Sequence, residues 1–246
     1  MTVASQTVRQ IAIEQPSAIE VFDRVGIEYC CKGWKTLEDA CSEIAIGVED
    51  MVGALDQAAA GERVSKSRFE NRTFEFQILR VLRTQHERVK EMLPLLQGIA
   101  ATMADRYRTR HPELIAIDEL MQALSLELTT HLAEEEGTLF PALLELELAY
   151  LGESPICGYP KRVRKILKSM SQQHDTSSVT LRQIRAASHS FCPPSRAAAP
   201  YREFYDRLQK FFRELHRDFH MENNILFPQA AQMEAEIFRG SRFSRC

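Results

Sequence analysis

At 246 residues the chain is long enough for one large domain, or for an ordinary domain with a small one beside it. With 44% apolar and 26% charged residues it can bury a core, and a formal charge of -3 with a pI near 6.2 leaves no basic footprint for nucleic acid. No apolar run nears the ~18–20 residues of a membrane span, and MTVASQTVRQ lacks a signal-peptide pattern, so the chain reads as cytoplasmic with six cysteines too unevenly placed for a disulfide scaffold.

Helical signals dominate, and no long alternating runs argue for a sheet. Up to about residue 60 the segments are short. One runs to Gln15 before Pro16, and a second goes from Ser17 to Gly26, where a left-handed stop is cheap. A third opens at Thr36, with Asp39 placed to reach back in a capping box, and a fourth follows Gly47. Residues 58–67 read as a linker region, which sets domain limits of 1–60, a linker at 61–70, and 71–240. Four longer helical patterns follow, over roughly 70–104, 112–148, 160–188 and 200–238. In the first, Phe76, Leu79, Leu82, Val89, Leu93 and Leu96 recur at helical spacing and predict one buried face. Short connections make neighbours antiparallel. The predicted fold is all-α: a small N-terminal helical domain, then an up-down-up-down four-helix bundle.

Within the bundle two stretches repeat in register, 87 positions apart: HLAEEEGTLFP from His131 and DFHMENNILFP from Asp218. Each has a carboxylate, Glu135 or Glu222, four residues before Leu-Phe-Pro and a second ligand type, His131 or Asp218, four residues earlier. His86 precedes His131 by 45 residues, and His174 precedes Asp218 by 44. Residues four apart on a helix differ by only about 40° around the axis, so each pair projects from one face. A chain that places ligand types twice at one spacing builds one site from two similar halves. If the faces point inward, the core receives His86, His131, Glu135, His174, Asp218 and Glu222. Imidazoles with carboxylates suit iron or manganese better than a structural zinc site. The natural arrangement is two irons bridged by Glu135 and Glu222, with the histidines at outer positions. Glu127, one turn before His131, is either a hydrogen-bond partner that orients its imidazole or a solvated surface glutamate. Glu134 and Glu136 are expected to be exposed, and His111 and His189 lie in inter-helix segments.

These residues carry a resemblance. His86 with Leu93-Pro94, the His131/Glu135 Leu-Phe-Pro run, His174-Asp175 and His220-Met-Glu222 before Leu-Phe-Pro resemble the hemerythrin-like di-iron domain. Tyr29-Cys30-Cys31-Lys-Gly33 with Leu37-Glu-Asp-Ala-Cys41 resembles the small N-terminal domain joined to it in the iron–sulfur cluster repair family (YtfE/ScdA/RIC). The resemblance implies a cytoplasmic di-iron protein of the stress response that helps restore clusters damaged by nitric oxide or peroxide. Its cofactor would be two non-haem iron ions and its clients iron–sulfur proteins. Where the family pattern has a histidine ligand, this chain has Asp218. His216 and His220 lie two residues to either side, about 200° around the helix, so neither replaces it on the Glu222 face. Asp218 is read as a carboxylate substitute, with a single-iron or labile site left open.

Cys30 and Cys31 are adjacent, with Cα atoms about 3.8 Å apart, too close for an unstrained disulfide. Lys32 and Lys35 are placed to lower a neighbouring thiol pKa. The resemblance gives this pair a redox or iron-transfer role. Cys41 alone reads as a small buried apolar residue, and nothing assigns chemistry to Cys157, Cys192 or Cys246. Three rival readings stand beside repair: a sensor binding nitric oxide or oxygen at the same irons, a nitric oxide reductase, and a metal-free helical adaptor. Whether the chain is an enzyme in the strict sense, and whether it forms a homodimer, is left open by the sequence.

Overall fold

The computed structural model describes residues 3–60, 73–153 and 162–240; the expected linker at 61–70, Cys157 and Cys246 lie outside them. Helices and the turns and loops that join them make up the described residues, with one isolated β-bridge between Thr7 and Thr36. No helix among them is long and apolar enough to cross a membrane. They divide into two compact units. One comprises the chain up to Arg72 together with His216–Pro228; the other comprises Thr73–Leu215 and the chain from Gln229.

The first unit opens with four short helices: α1 (Val8–Glu14), α2 (Ala18–Val25), α3 (Leu37–Glu43) and α4 (Val48–Ala59). Thr7 and Gln10 make a reciprocal capping box at the start of α1. The box expected at Thr36 does not form in that way. The Thr36 hydroxyl accepts from the Asp39 N–H, but it donates to the Asp39 carboxylate, which therefore does not serve the cap backbone. Gly26 ends α2 at φ 88°, as the sequence suggested. Phe22, Tyr29, Leu37, Met51 and Leu55 are fully buried between these helices.

The second unit is the four-helix bundle. Its rods are α5 (Phe74–Val81) with α6 (Glu87–Tyr107), α7 (Glu113–Glu134) with α8 (Phe140–Tyr150), α9 (Arg162–Ala187), and α10 (Ala199–Met221) with α11 (Phe227–Gly240). Residues 216–228 of that last rod belong to the first unit. Apolar side chains such as Leu96, Ile117, Leu124, Leu143, Ile184 and Leu208 fill the core. Cross-rod hydrogen bonds tie the ends: Tyr201 to Glu113 at 2.9 Å and Gln77 to Gln229 at 2.8 Å.

Three rods are interrupted by one π-helical turn each: Leu82–His86, Glu135–Leu139 and Glu222–Leu226. Each closes with an i→i−5 bond, from Glu87 N–H to Leu82, Phe140 to Glu135 and Phe227 to Glu222. Two have a visible cause. Pro141 and Pro228 have no N–H, and their rings crowd the carbonyls of Gly137 and Asn224 four residues back, which favours a wider turn there. The repeated Leu-Phe-Pro is thus the end of a π turn that begins at the carboxylate. Nothing in the sequence explains the third turn.

That third turn corrects an expectation. The π turn takes up one extra residue, so the buried stripe runs through Phe74, Ile78 and Val81 and then resumes at His86, Val89, Leu93 and Leu96. Phe76 and Leu79, assigned to the buried face by uninterrupted 3.6-residue periodicity, are instead 49% and 46% exposed.

Candidate metal centre

Three of the rods of the bundle unit carry histidines and a carboxylate into its core. His86 closes the π turn between α5 and α6, His131 lies in the last turn of α7, and Glu135 opens the next π turn; His174 lies in the middle of α9. All four are buried, Glu135 and His174 at 0% exposure. The Glu135 carboxylate lies 3.1 Å from His86 Nε2 and 3.4 Å from His131 Nε2. His131 Nε2 and His174 Nε2 face each other at 2.9 Å. Ligand atoms of His131, Glu135 and His174 lie within 4.8 Å of one another. Donors that share one ion at ~2.0–2.3 Å each stand up to ~4.0–4.6 Å apart, so closing on a cation needs only a few tenths of an ångström.

Three imidazole nitrogens and a buried carboxylate are the donor set of borderline divalent metals, and among the described residues no thiol joins them. Charged or polar groups buried this deeply cost free energy unless they are paired or metal-bound. These residues therefore fit a divalent cation centre, and what orients them is typical of one. His86 Nδ1 is 2.7 Å from Glu136 Oε1, which Lys90 also holds at 2.7 Å. Burial pushes the Glu136 carboxyl up, but the Lys90 and His86 hydrogen bonds prevail and hold it below its ordinary value. His131 Nδ1 is 3.1 Å from Gln173 Oε1, whose amide donates to Glu134.

Two of these partners differ from the sequence reading. Glu136 is not a solvated glutamate but is half-buried on His86. Glu127, read either as a partner of His131 or as a solvated glutamate, accepts a hydrogen bond from Thr180 at 2.9 Å. Gln173 was missed; its only signal is adjacency to His174. His111 bonds Glu113 at 3.0 Å and His189 is exposed in the turn after α9.

The remaining candidates lie in the first unit. Glu222 is buried and opens its π turn, and Asp218 is half-buried one turn earlier on α10. The flanking histidines are committed to the N-terminal segment. His216 Nδ1 lies 3.6 Å from Asp23, and His220 Nδ1 is 2.8 Å from the Asn224 amide, with its ring edge-on to Tyr29 at 5.4 Å.

The same turn of helix holds the cysteine loop. Asn224 Nδ2 donates to the carbonyl of Tyr29 at 3.1 Å, while Asn223 Nδ2 reaches the Cys30 carbonyl at 3.4 Å and Cys31 Sγ at 3.6 Å. Cys30 is buried and Cys31 half-exposed; neither forms a disulfide, nor do buried Cys41 and exposed Cys192. The thiol chemistry departs from expectation. The hydrogen bond with Cys31 and burial push the Cys30 thiol well up, with Cys31 and Glu28 adding like charge. Lys35 does not counter this, because it pairs with Glu43. Burial also raises the Cys41 thiol, as befits a core residue.

A helical bundle that gathers buried histidines and a carboxylate on three rods defines a cation-binding helical protein. Residues 77–158 match the hemerythrin HHE cation binding domain, and residues 4–59 match ScdA_N, described as a domain of unknown function (DUF542). The chain thus carries, in this order, a region matching the ScdA-type N-terminal domain and a region matching the hemerythrin domain. Relatives align nearly end to end. A probable iron-sulfur cluster repair protein of Haemophilus influenzae is 25% identical, over 93% of this chain and 98% of its own. The iron-sulfur cluster repair protein YtfE of Pectobacterium carotovorum is 24% identical, over 95% of this chain and 100% of its own. The iron-sulfur cluster repair protein ScdA of Staphylococcus haemolyticus is 24% identical, over 89% and 95%.

Proposed function

We propose that this chain is an iron–sulfur cluster repair protein that holds two iron ions in its bundle and supplies iron to clusters damaged by nitrosative or oxidative stress. The observation that carries the reading is the buried meeting of His86, His131, Glu135 and His174, with imidazole Nε2 atoms and one carboxylate pointing at each other. In this assignment His86, His131, His174 and Asp218, together with the carboxylates of Glu135 and Glu222, would hold the ions. Glu222 and Asp218 enter through the sequence repeat, since each stands in the position that Glu135 and His131 occupy in the other half. The bound ions supply redox-active, exchangeable iron, which is also the cargo.

The protein's own residues do the rest. Glu136 and Gln173 fix the ring orientation of His86 and His131, so the Nε2 atoms stay aimed at the ions. Burial of Glu135 and His174 keeps bulk water from the ions. Cys31, half-exposed on the loop held by Asn223, is the thiol placed to meet a client or to pass iron on, with buried Cys30 behind it. Nitric oxide and oxygen fit as small ligands of the irons, and iron–sulfur proteins as clients.

The test is reactivation of a nitric-oxide-damaged [4Fe–4S] enzyme without oxygen, with a chelator present to capture free iron. The iron-loaded wild type should restore activity, and the metal-free chain and His174→Ala should not. Equal restoration by the metal-free chain would contradict the assignment.

A further inference from the structure

The bundle donors do not account for a second group of potential ligands, in the first unit. Glu28, Cys30 and Cys31 each offer a ligand atom, and these atoms lie within 4.8 Å of one another. We propose that Glu28, Cys30 and Cys31 form a second cation site, specific for a thiophilic divalent ion. This rests on the reading of the two cysteines as metal-handling thiols and adds to it a carboxylate ligand and a resident site.

Three features of the loop support this. First, the donor chemistry is right: two sulfurs with one carboxylate select zinc or ferrous iron over magnesium or calcium, and differ from the nitrogen-rich bundle set. Ion-to-donor distances of about 2.0–2.3 Å place donors on one ion up to about 4.6 Å apart, so the observed spacing needs only slight closure. Second, the loop is held rather than floppy. Asn224 and Asn223 hold the carbonyls of Tyr29 and Cys30, and Tyr29 is fully buried with its hydroxyl on Asp23 at 3.2 Å. Gly33 closes the turn where any side chain would collide, since a Cβ there would lie 2.5 Å from the Tyr29 carbonyl and 2.8 Å from Arg9 Cβ.

Third, the Asn223 amide is directed at Cys31 Sγ from 3.6 Å. An N–H aimed at sulfur stabilises thiolate over thiol, and such outer donors orient metal-bound thiolates. Three protein donors with Cys31 and Glu28 part-exposed leave an open coordination position, the arrangement of an exchange site rather than a closed structural one. On binding, each thiol gives up the proton it carries to solvent while the carboxylate is already ionised, so no oxidant or reductant is needed.

Cobalt(II) titration of the reduced full-length chain tests this, because thiolate-to-cobalt charge transfer in the near ultraviolet is not given by histidine or carboxylate ligands. The bundle site is therefore silent in that band. Wild type should show the band, Cys31→Ser should lose most of it, and Glu28→Gln should keep it with at least tenfold weaker binding. Both substituted residues are part-exposed, so folding is checked by the unchanged melting temperature. As a measurement on unaltered protein, zinc should slow alkylation of Cys31 at least tenfold. A Glu28→Gln titration matching wild type would overturn the three-ligand site while leaving the thiol reading intact. Absence of both the band and the zinc protection in wild type would overturn the site and the metal-handling role of the thiols together. Neither result touches repair by the bundle, which the reactivation assay reads separately.

Discussion

At the scale of single residues, the centre depends on side chains that touch no metal. An imidazole binds through one nitrogen, and the other must be told where to point. Glu136 does this for His86 and is itself anchored by Lys90. Glu136→Gln keeps the shape but removes the charge that makes His86 a better donor. It is expected to weaken metal binding about tenfold, within the usual ~10–100-fold range for such partners, as read by chelator competition. Unchanged affinity would contradict the role. This residue was not legible in the sequence, and the reason is physical. In the run Glu134-Glu135-Glu136 only Glu135 repeats at the 87-residue offset, so its neighbours look solvated. Lys90 lies 46 residues away, and only folding brings it within reach.

At the scale of elements, the π turns are what the periodicity could not show. Helix type, approximate limits and the Gly26 stop follow from propensity, spacing and turn chemistry, and they are all present. A π turn breaks the 3.6-residue count on which burial was read. Hence His86, Val89, Leu93 and Leu96 were placed on the right face and Phe76 and Leu79 on the wrong one. The Leu-Phe-Pro repeat was visible, but its meaning as the end of a widened turn became clear only from the hydrogen bonds.

The far end of the bundle carries a prediction of its own. Glu113, in the first turn of α7, accepts from the Tyr201 hydroxyl of α10 and sits 3.0 Å from His111. Burial pushes its carboxyl up, but the backbone N–H, Tyr201 and His111 together outweigh burial and hold it below its ordinary value. A carboxylate with a depressed folded pKa contributes stability above its unfolded value, near ~4.3, and loses that contribution as pH falls through the lower folded value. Glu113→Gln should thus cost about 1–2 kcal/mol at pH 7 and progressively less towards pH 3. Urea unfolding at the two pH values checks it, and a cost independent of pH would contradict it.

At the scale of the whole molecule, the fold class could be read from the sequence, and so could the four side chains that meet in the bundle core, His86, His131, Glu135 and His174, because both rest on repetition. A carboxylate and a preceding ligand type recur at one offset, with a histidine on each preceding helix. The packing of residues 216–228 with the N-terminal segment could not be read. Its traces were present but looked like misplaced ligands: His216 and His220 fit no metal face, and Asn223-Asn224 follow Glu222 without apparent purpose. The structure gives them one. They hold Asp23 and the Tyr29–Cys31 loop, so the helix turn that carries Glu222 also fixes the thiols. The central claim is that the two sequence halves form one two-iron centre. Its most direct test is iron per chain in protein reconstituted without oxygen, for wild type, Asp218→His and Glu135→Ala. The account predicts two irons in wild type and in Asp218→His, and at most one in Glu135→Ala. No bound iron in wild type, or undiminished iron in Glu135→Ala, would contradict it.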